Sequence, residues 1–335
     1  MIKNQVRGGC LWLALLASFQ LFAAETIYPA NPAITEDAIY VSSEGITRFH
    51  RQTLEPVWHA LAGKQTFEPV VTKTRIFVAT TQGLYVLDLV TGKVLRRLAR
   101  DQTLFPPAVA GDVAYIGGRD GSLRAVTVKT GGELWHRDFT GWIYTPAVVE
   151  GKLIVGGNGR LLRGIDANTS KELWHRKLDQ ELVYRPIAVG SGKTIITLFN
   201  GEILMIDAND GSTVWRVRGQ TPSFSPAVAK RYLYFGTFAG RLMARSRGGG
   251  DIVWEQQLNG RLHYRPRVIG GVVLVASDQA ELAAYDAHTG ERLWHHADRR
   301  ELVTSPIILN DVVVGFANDR TPHVWRVPSI SKLNK

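Results

Sequence analysis

A nine-residue pattern that ends in tryptophan recurs along the chain and constrains the fold more than any other feature. Its fullest copy, DAHTGERLW, covers 286–294, and successive copies are 38 to 41 residues apart. The copies are HRQTLEPVW (50–58), DLVTGKVLR (88–96), TVKTGGELW (127–135), DANTSKELW (166–174), DANDGSTVW (207–215), SRGGGDIVW (246–254) and DAHTGERLW (286–294). A repeat of this length indicates stacked or ring-forming structural units.

A recurring proline gives the number of units. One proline follows each copy of the pattern by eleven or twelve residues, and another precedes the first copy. The series is Pro32, Pro69, Pro107, Pro146, Pro186, Pro226, Pro266 and Pro306. The sequence therefore predicts eight units.

Each unit contains four short apolar runs separated by turn residues. After Pro266 the runs are RVIGG, VVLVASD, ELAAYD and ERLWHHA, and the last turn contains Thr289-Gly290. Such runs are typical of strands, the glycine supplies a positive φ at the turn, and no helical periodicity follows residue 24. The prediction is all-β: a single domain over 25–335 that forms an eight-bladed β-propeller of four-stranded antiparallel blades.

Two segments are candidates for the fourth strand of the eighth unit. Three runs follow Pro306, and either 331–335 or 25–28 completes the sheet. We expect 25–28 to do so, because pairing the two chain ends removes an exposed edge and ties down a terminus.

The N-terminus has the features of a secretory signal peptide. Lys3 and Arg7 precede an apolar run from Cys10 to Ala24, which is shorter than a membrane span. We expect a signal peptide over 1–24 and a periplasmic, monomeric mature protein without a transmembrane span. Cys10 is the only cysteine and lies at the near end of the run, so we expect neither a lipid anchor nor a disulfide.

The chain is strongly basic. Its net charge is +10, and removal of Lys3 and Arg7 leaves +8. Because nucleic acid is a poor partner for an exported protein, the charge favours an acidic protein surface, lipopolysaccharide, anionic lipid headgroups or acidic glycans.

The motif Ala-x-Asp-x-x-Thr-Gly-x-x-x-Trp at 284–294, with a close copy at 207–215, resembles the tryptophan-docking repeat of the pyrroloquinoline quinone propellers. The resemblance covers about residues 32–335. It implies a tryptophan-docked propeller, commonly with eight blades. That family includes quinone-dependent dehydrogenases and also cofactor-free binding propellers of the BamB type, so the resemblance leaves function open.

The tryptophans need no cofactor to explain them, because a large flat ring on each fourth strand fills the wedge between blades. The predicted structural set is Trp58, Trp135, Trp174, Trp215, Trp254 and Trp294. Arg96 stands at this position in the second unit, and we expect that blade to be less well packed. The histidines that follow four tryptophans, His59, His136, His175 and His295, belong to different blades and are not expected to share a metal ion.

The sequence favours a binding protein over an enzyme. The resemblance implies that dehydrogenases of the family hold quinone and calcium with carboxylates and commonly adjacent cysteines. A calcium ion needs six or more gathered oxygen ligands, whereas the acids of the loops between second and third strands, Asp120, Asp278 and Asp319, are single. We therefore predict no cofactor, no metal and no catalytic residues.

The predicted partner-binding residues lie in the loops between blades and in the loops joining second to third strands, which open on one face of a propeller. They are Tyr184, Arg185, Tyr264, Arg265, Arg119 and Arg160, because aromatics and arginines are common in binding hot spots. The aromatics have an alternative reading as packing between blades. Arg185 and Arg265 occupy a position that holds Glu68, Pro106, Thr145, Ser225 or Ser305 in other units, so we expect their joint replacement to abolish partner binding without changing melting.

These observations predict a cofactor-free periplasmic scaffold that assists envelope or outer-membrane protein assembly through this face. A dehydrogenase dependent on pyrroloquinoline quinone and a periplasmic glycan-binding propeller are the alternatives.

Overall fold

The structure is a computed structural model that describes residues 31–98, 103–262, 264–297, 302, 304–309, 312–316 and 321–326. All regular elements in these ranges are β-strands. The predicted signal peptide and both alternatives for the last strand, 25–28 and 331–335, lie outside them, as does Asp319.

Eight antiparallel sheets follow one another along the chain and form the eight predicted blades. Blade 1 contains β1 Ala33–Ile34, β2 Ala38–His50 and β3 Pro56–Gln65; blade 2 contains β4 Val70–Val71, β5 Arg75–Thr80, β6 Gly83–Asp88 and β7 Val94–Leu98; blade 3 contains β8 Ala108–Ala110, β9 Val113–Gly117, β10 Ser122–Thr127 and β11 Glu133–Asp138. Blade 4 contains β12 Ala147–Val149, β13 Lys152–Val155, β14 Leu161–Asp166 and β15 Glu172–Lys177; blade 5 contains β16 Ile187–Gly190, β17 Lys193–Thr197, β18 Ile203–Asp207 and β19 Thr213–Val217; blade 6 contains β20 Ala227–Val228, β21 Tyr232–Gly236, β22 Arg241–Ser246 and β23 Ile252–Gln257. Blade 7 contains β24 Arg267–Ile269, β25 Val272–Ala276, β26 Glu281–Asp286 and β27 Arg292–Ala297, and blade 8 contains β28 Ile307–Leu309, β29 Val312–Phe316 and β30 Pro322–Arg326. The prediction of an eight-bladed propeller is confirmed.

Blades 1 and 8 differ from the other six, which have four strands each. In blade 1 the second and third strands are continuous and form β2, which reverses direction at Gly45. Because of this reversal the two ends of β2 are neighbours, and the amide of Arg51 donates to the carbonyl of Asp37 at 2.9 Å. Blade 8 has three strands within the described residues. The ring closes by apolar packing between these blades, where the Phe49 and Phe316 rings lie 5.1 Å apart.

The core is divided among the joints between blades. The second and third strands of a blade are buried on both faces, as in β5 and β6, whereas the fourth strands alternate between exposed and half-buried residues. Each pair of neighbouring blades encloses its own apolar cluster, for example Met205, Trp215 and Phe235 between blades 5 and 6. Burial of such clusters is the main stabilising term of a chain without disulfides.

The Asp-x-x-Thr-Gly turn between third and fourth strands is shaped by its own side chains. In blade 7 the Asp286 carboxylate accepts from the amides of His288 and Thr289, at 2.8 and 2.7 Å, and Gly290 has a φ of +76°. The predicted positive φ of the turn glycine is thus confirmed.

The same turn receives the tryptophan of the preceding blade. The indole of Trp215 donates to the Arg247 carbonyl at 3.1 Å, and four other tryptophans donate in the same way to the next blade. A Cβ added to Gly250 would lie 2.8 Å from the Trp215 ring. The motif is therefore a joint: tryptophan on one blade, glycine turn on the next.

Blade 2 lacks this joint. Arg96 is exposed, and its Cδ and the Leu98 side chain lie where the tryptophan ring lies in other blades, next to Gly131 of blade 3. Blade 2 thus has no indole hydrogen bond to the blade that follows.

Candidate binding site at the channel mouth

The two predicted sets of loops lie on one face. The amide of Ile143, in the loop between blades 3 and 4, donates to the Gly118 carbonyl, in the loop between β9 and β10, at 2.9 Å. Isolated bridges such as Ile143–Gly157 and Leu182–Leu198 join the corresponding loops in other blades. The prediction that both loop sets open on the same face is confirmed.

The residues that precede the eight recurring prolines surround the channel at this face. Ser305 donates to the Asn31 side chain at 2.7 Å, and Thr145 donates to the Pro106 carbonyl at 2.6 Å. The set, which we call the channel ring, is Asn31, Glu68, Pro106, Thr145, Arg185, Ser225, Arg265 and Ser305.

Arg185 and Arg265 converge on one carboxylate of the channel ring. Their NH2 atoms lie 3.2 and 3.3 Å from the same oxygen of Glu68, Oε1, while Asn31 donates to Oε2 at 3.0 Å. The side chains of Arg185, Arg265 and Glu68 are 15%, 29% and 12% exposed, respectively. Because these residues come from blades 5, 7 and 2, the ion pairs cross the channel.

A third guanidinium joins the group. Arg267, the first residue of β24, donates to the Pro32 carbonyl at 2.5 Å, and its charge also acts on Glu68. Burial by itself would raise the pKa of Glu68, but Arg185, Arg265 and the Asn31 hydrogen bond outweigh burial and lower that pKa. Burial and the adjacent Arg265 lower the pKa of Arg267 to about 10. One carboxylate therefore stays ionised among three cations.

The pKa values of the two arginines on Glu68 move in opposite directions. For Arg185, burial lowers the pKa but the Glu68 charge overcomes this and raises it. For Arg265, burial lowers the pKa and neighbouring Arg185 adds to the effect, against the attraction of Glu68. Glu68 thus compensates Arg185 more fully than Arg265.

The other predicted partner-binding residues have different environments. Tyr264 is 5% exposed and its hydroxyl donates to the Leu302 carbonyl, so this side chain packs between blades 7 and 8 as the alternative reading proposed. Tyr184 is half-buried, with the Arg185 guanidinium 5.9 Å from its ring. Arg119 stacks over Trp142 at 4.5 Å. Arg160 is exposed in a turn.

Glu68, Asn31 and Arg267 are the functional candidates that sequence reasoning missed. Glu68 and Asn31 precede recurring prolines as Arg185 and Arg265 do. A single acid in a register that also holds two arginines was therefore a signal of pairing across the ring. Nothing comparable marks Arg267.

The described residues gather no set of carboxylates for a calcium ion. They contain no group of three or more histidine, cysteine, aspartate or glutamate side chains that could hold a metal ion. The histidines that follow tryptophans have partners of their own, such as His136 with Asp138 at 2.8 Å and His295 with Glu281 at 3.0 Å. At the channel centre, three guanidinium groups repel a cation.

In the described part of the chain, no helix has the length and apolar character needed to cross a bilayer.

The eight blades and the five tryptophan joints between them define a repeat propeller of the pyrroloquinoline quinone type. A family model described as "Outer membrane protein assembly factor BamB" matches residues 42–181, 119–197 and 199–321, well over half of the chain. The chain therefore belongs to the BamB family.

Individual relatives are distant. An "Outer membrane protein assembly factor BamB" of Burkholderia pseudomallei (strain K96243) is 23% identical over 208 residues, which cover 57% of this chain and 54% of that protein. A "Lanthanide-dependent methanol dehydrogenase" of Methylacidiphilum fumariolicum (strain SolV) is 30% identical over 86 residues, 22% of this chain and 14% of that protein. The chain thus spans about half, or less, of these relatives.

Among solved structures, BamB from Moraxella catarrhalis superposes with a TM-score of 0.69 at 20% identity, over 77% of this chain and 84% of that one. At this identity the likeness concerns the fold alone.

Proposed function

We propose that this protein is a non-catalytic periplasmic scaffold that assists the assembly of outer-membrane proteins. The observation that carries the proposal is the family match, which extends over blades 1 to 8 and whose description names outer-membrane protein assembly.

The docking surface in this proposal is the channel-mouth face. Arg119 stacked on Trp142, exposed Arg160, and Tyr184 beside Arg185 give this face the arginines and aromatics that are frequent in hot spots. The chain's positive charge favours an acidic partner surface, and a partner in the outer-membrane assembly machinery is the one that the family description suggests.

The test begins with deletion of the gene in the native host. We expect lower amounts of outer-membrane proteins in envelope fractions, restored by the wild-type gene. Normal outer-membrane protein levels after deletion, under several growth conditions, would reject the scaffold role.

A variant pair then tests the face. Arg119→Ala with Arg160→Ala should reduce partner recovery about tenfold or more, in line with the cost of truncating hot-spot arginines. Arg231→Ala with Arg292→Ala is the matched control, because both residues are exposed near turns at the opposite ends of the strands. Equal recovery with the two double variants would place docking elsewhere.

The dehydrogenase alternative has one observation in its favour, the 86-residue match to a methanol dehydrogenase. Incubation with pyrroloquinoline quinone and calcium, followed by gel filtration, tests it. We expect no chromophore that requires calcium to co-elute with the protein; calcium-dependent retention of quinone would favour the enzyme.

A further inference from the structure

The charges of the described residues at the channel centre do not balance. Glu68 supplies one negative charge, and Arg185, Arg265 and Arg267 supply three positive charges, which leaves a formal net charge of +2. These groups are buried or half-buried, where screening by solvent is weaker than at an exposed surface. A concentration of like charge in such a place is unfavourable unless counter-charges are present.

The hydrogen-bond donors of the cluster are also in excess. A guanidinium has five N–H donors and no acceptor. The Nε atoms of Arg185 and Arg267 are buried and have no acceptor among the described residues. Arg185 and Arg265 share a single carboxylate oxygen of Glu68, so each makes one contact with it where a bidentate pair would make two.

The pKa directions agree with this geometry. Glu68 raises the pKa of Arg185, whereas burial keeps the pKa of Arg265 below its ordinary value and lowers that of Arg267 to about 10. Of the two arginines in contact with Glu68, Arg265 is the more exposed, at 29% against 15% for Arg185.

From the excess of guanidinium donors and charge around Glu68, we infer that the channel ring holds an oxyanion-binding site. The ligand is a small phosphate or carboxylate that accepts hydrogen bonds from Arg265 and its neighbouring guanidinium groups. Planar guanidinium forks match two oxygens of such an anion at once. The site goes beyond the scaffold role, because it requires no protein partner.

Calorimetric titration tests this inference. The mature protein is titrated with inorganic phosphate, acetate or chloride at matched ionic strength. We expect saturable binding of phosphate, acetate or both, and none of chloride, and the preferred oxyanion identifies the ligand class. Lack of saturable binding by both oxyanions up to about 10 mM, a concentration that corresponds to weak affinity, would overturn the inference.

Three variants locate the site. Arg265→Gln should weaken oxyanion binding at least tenfold, since a charge-assisted hydrogen bond is lost. Arg261→Gln, in the same loop, should change it less than twofold, because the Arg261 guanidinium lies 3.8 Å from Asp278 and its side chain is 51% exposed. Equal losses in the two variants would show diffuse attraction to a basic surface and would overturn the site.

Glu68→Gln gives an opposite and independent signal. Removal of the internal competing carboxylate should strengthen oxyanion binding at least threefold and increase the rise in Tm that the anion produces. Unchanged or weaker binding in this variant would contradict the inference even if Arg265→Gln failed to fold. Because purified protein suffices, failure here leaves the outer-membrane assembly test unaffected.

Discussion

The joints at the outside of the propeller and the ion cluster at its centre connect blades by different means. Each tryptophan joint links neighbouring blades through apolar packing and one indole hydrogen bond, and five such joints repeat within the described residues. The central cluster is charged and connects blades 1, 2, 5 and 7 through Glu68.

This difference predicts that the two kinds of contact contribute unequally to stability. Packing of tryptophan removes apolar surface from water at every joint, so each copy contributes in the same direction. A largely buried carboxylate with two arginines gains little net stability, because desolvation offsets most of the attraction. We therefore expect loss of a tryptophan to cost more than loss of the ion pairs.

Trp215→Ala should have the largest effect. Trp215 is 8% exposed within the cluster between blades 5 and 6, and truncation of a large buried aromatic typically costs about 3–5 kcal/mol. Urea denaturation measures the loss. Arg96→Ala, at the same position of blade 2, should change stability by no more than about 0.5 kcal/mol, since Arg96 is exposed. Similar losses at both positions would remove the distinction between docked and undocked joints.

The double replacement Arg185→Ala, Arg265→Ala should have the next largest effect. The sequence alone led us to expect unchanged melting, but the shared contact with Glu68 changes that expectation. A largely buried carboxylate would lose both ion pairs, at a cost of about 1–3 kcal/mol.

Adding Glu68→Gln to the double variant should recover part of that stability, because the carboxylate would otherwise keep only the Asn31 hydrogen bond and the charge of Arg267 as compensation. Thermal melts of wild type, double and triple variants measure both steps. If the triple variant is no more stable than the double variant, the loss does not come from Glu68.

A pair of glycine variants isolates the contact between turn and tryptophan. Gly250→Ala places a Cβ 2.8 Å from the Trp215 ring at a φ of +79°, whereas Gly111, at a φ of +58°, has no neighbour within 4 Å. Both changes cost backbone strain, so the difference reports the contact, and we expect Gly250→Ala to be worse by about 1 kcal/mol. Indistinguishable unfolding midpoints would mean that the joint tolerates the added methyl group.

The smallest expected effect is a pH dependence that comes from Glu68. Its pKa in the folded protein lies below the ordinary 4.5, so its ion pairs contribute stability above about pH 4.5, and this contribution is lost as pH falls through the lower folded-state value. Wild type and Glu68→Gln should therefore differ in Tm near neutral pH and converge as pH falls below 4.5. Parallel Tm curves from pH 7 to pH 3 would argue against an ionised, paired Glu68.

The fold was accessible from sequence because its determinants recur. Asp286, Thr289, Gly290 and Trp294 interact with residues close in sequence or one unit away, and most units repeat the same signals. The bulge next to the tryptophan was not accessible: Trp215 pairs with Met205, and a register shift follows before Ile206.

The candidate site was predicted only in part. Sequence placed Arg185 and Arg265 at equivalent positions on one face, which the structure agrees with, but treated them as available to a partner. Glu68 was read as one more tolerated residue at that position. Its contacts join residues 117 and 197 positions away along the chain, distances at which sequence spacing carries no information about contact.

The sequence by itself determined the eight blades, their strands and the tryptophan joints, because repeated local contacts and apolar patterning suffice to specify them. Only the tertiary structure decided that Asn31, Glu68, Arg185, Arg265 and Arg267 share one cluster. Closing eight units into a ring brings one position of every unit to the channel, so side chains that are remote along the chain share the same charges and hydrogen bonds.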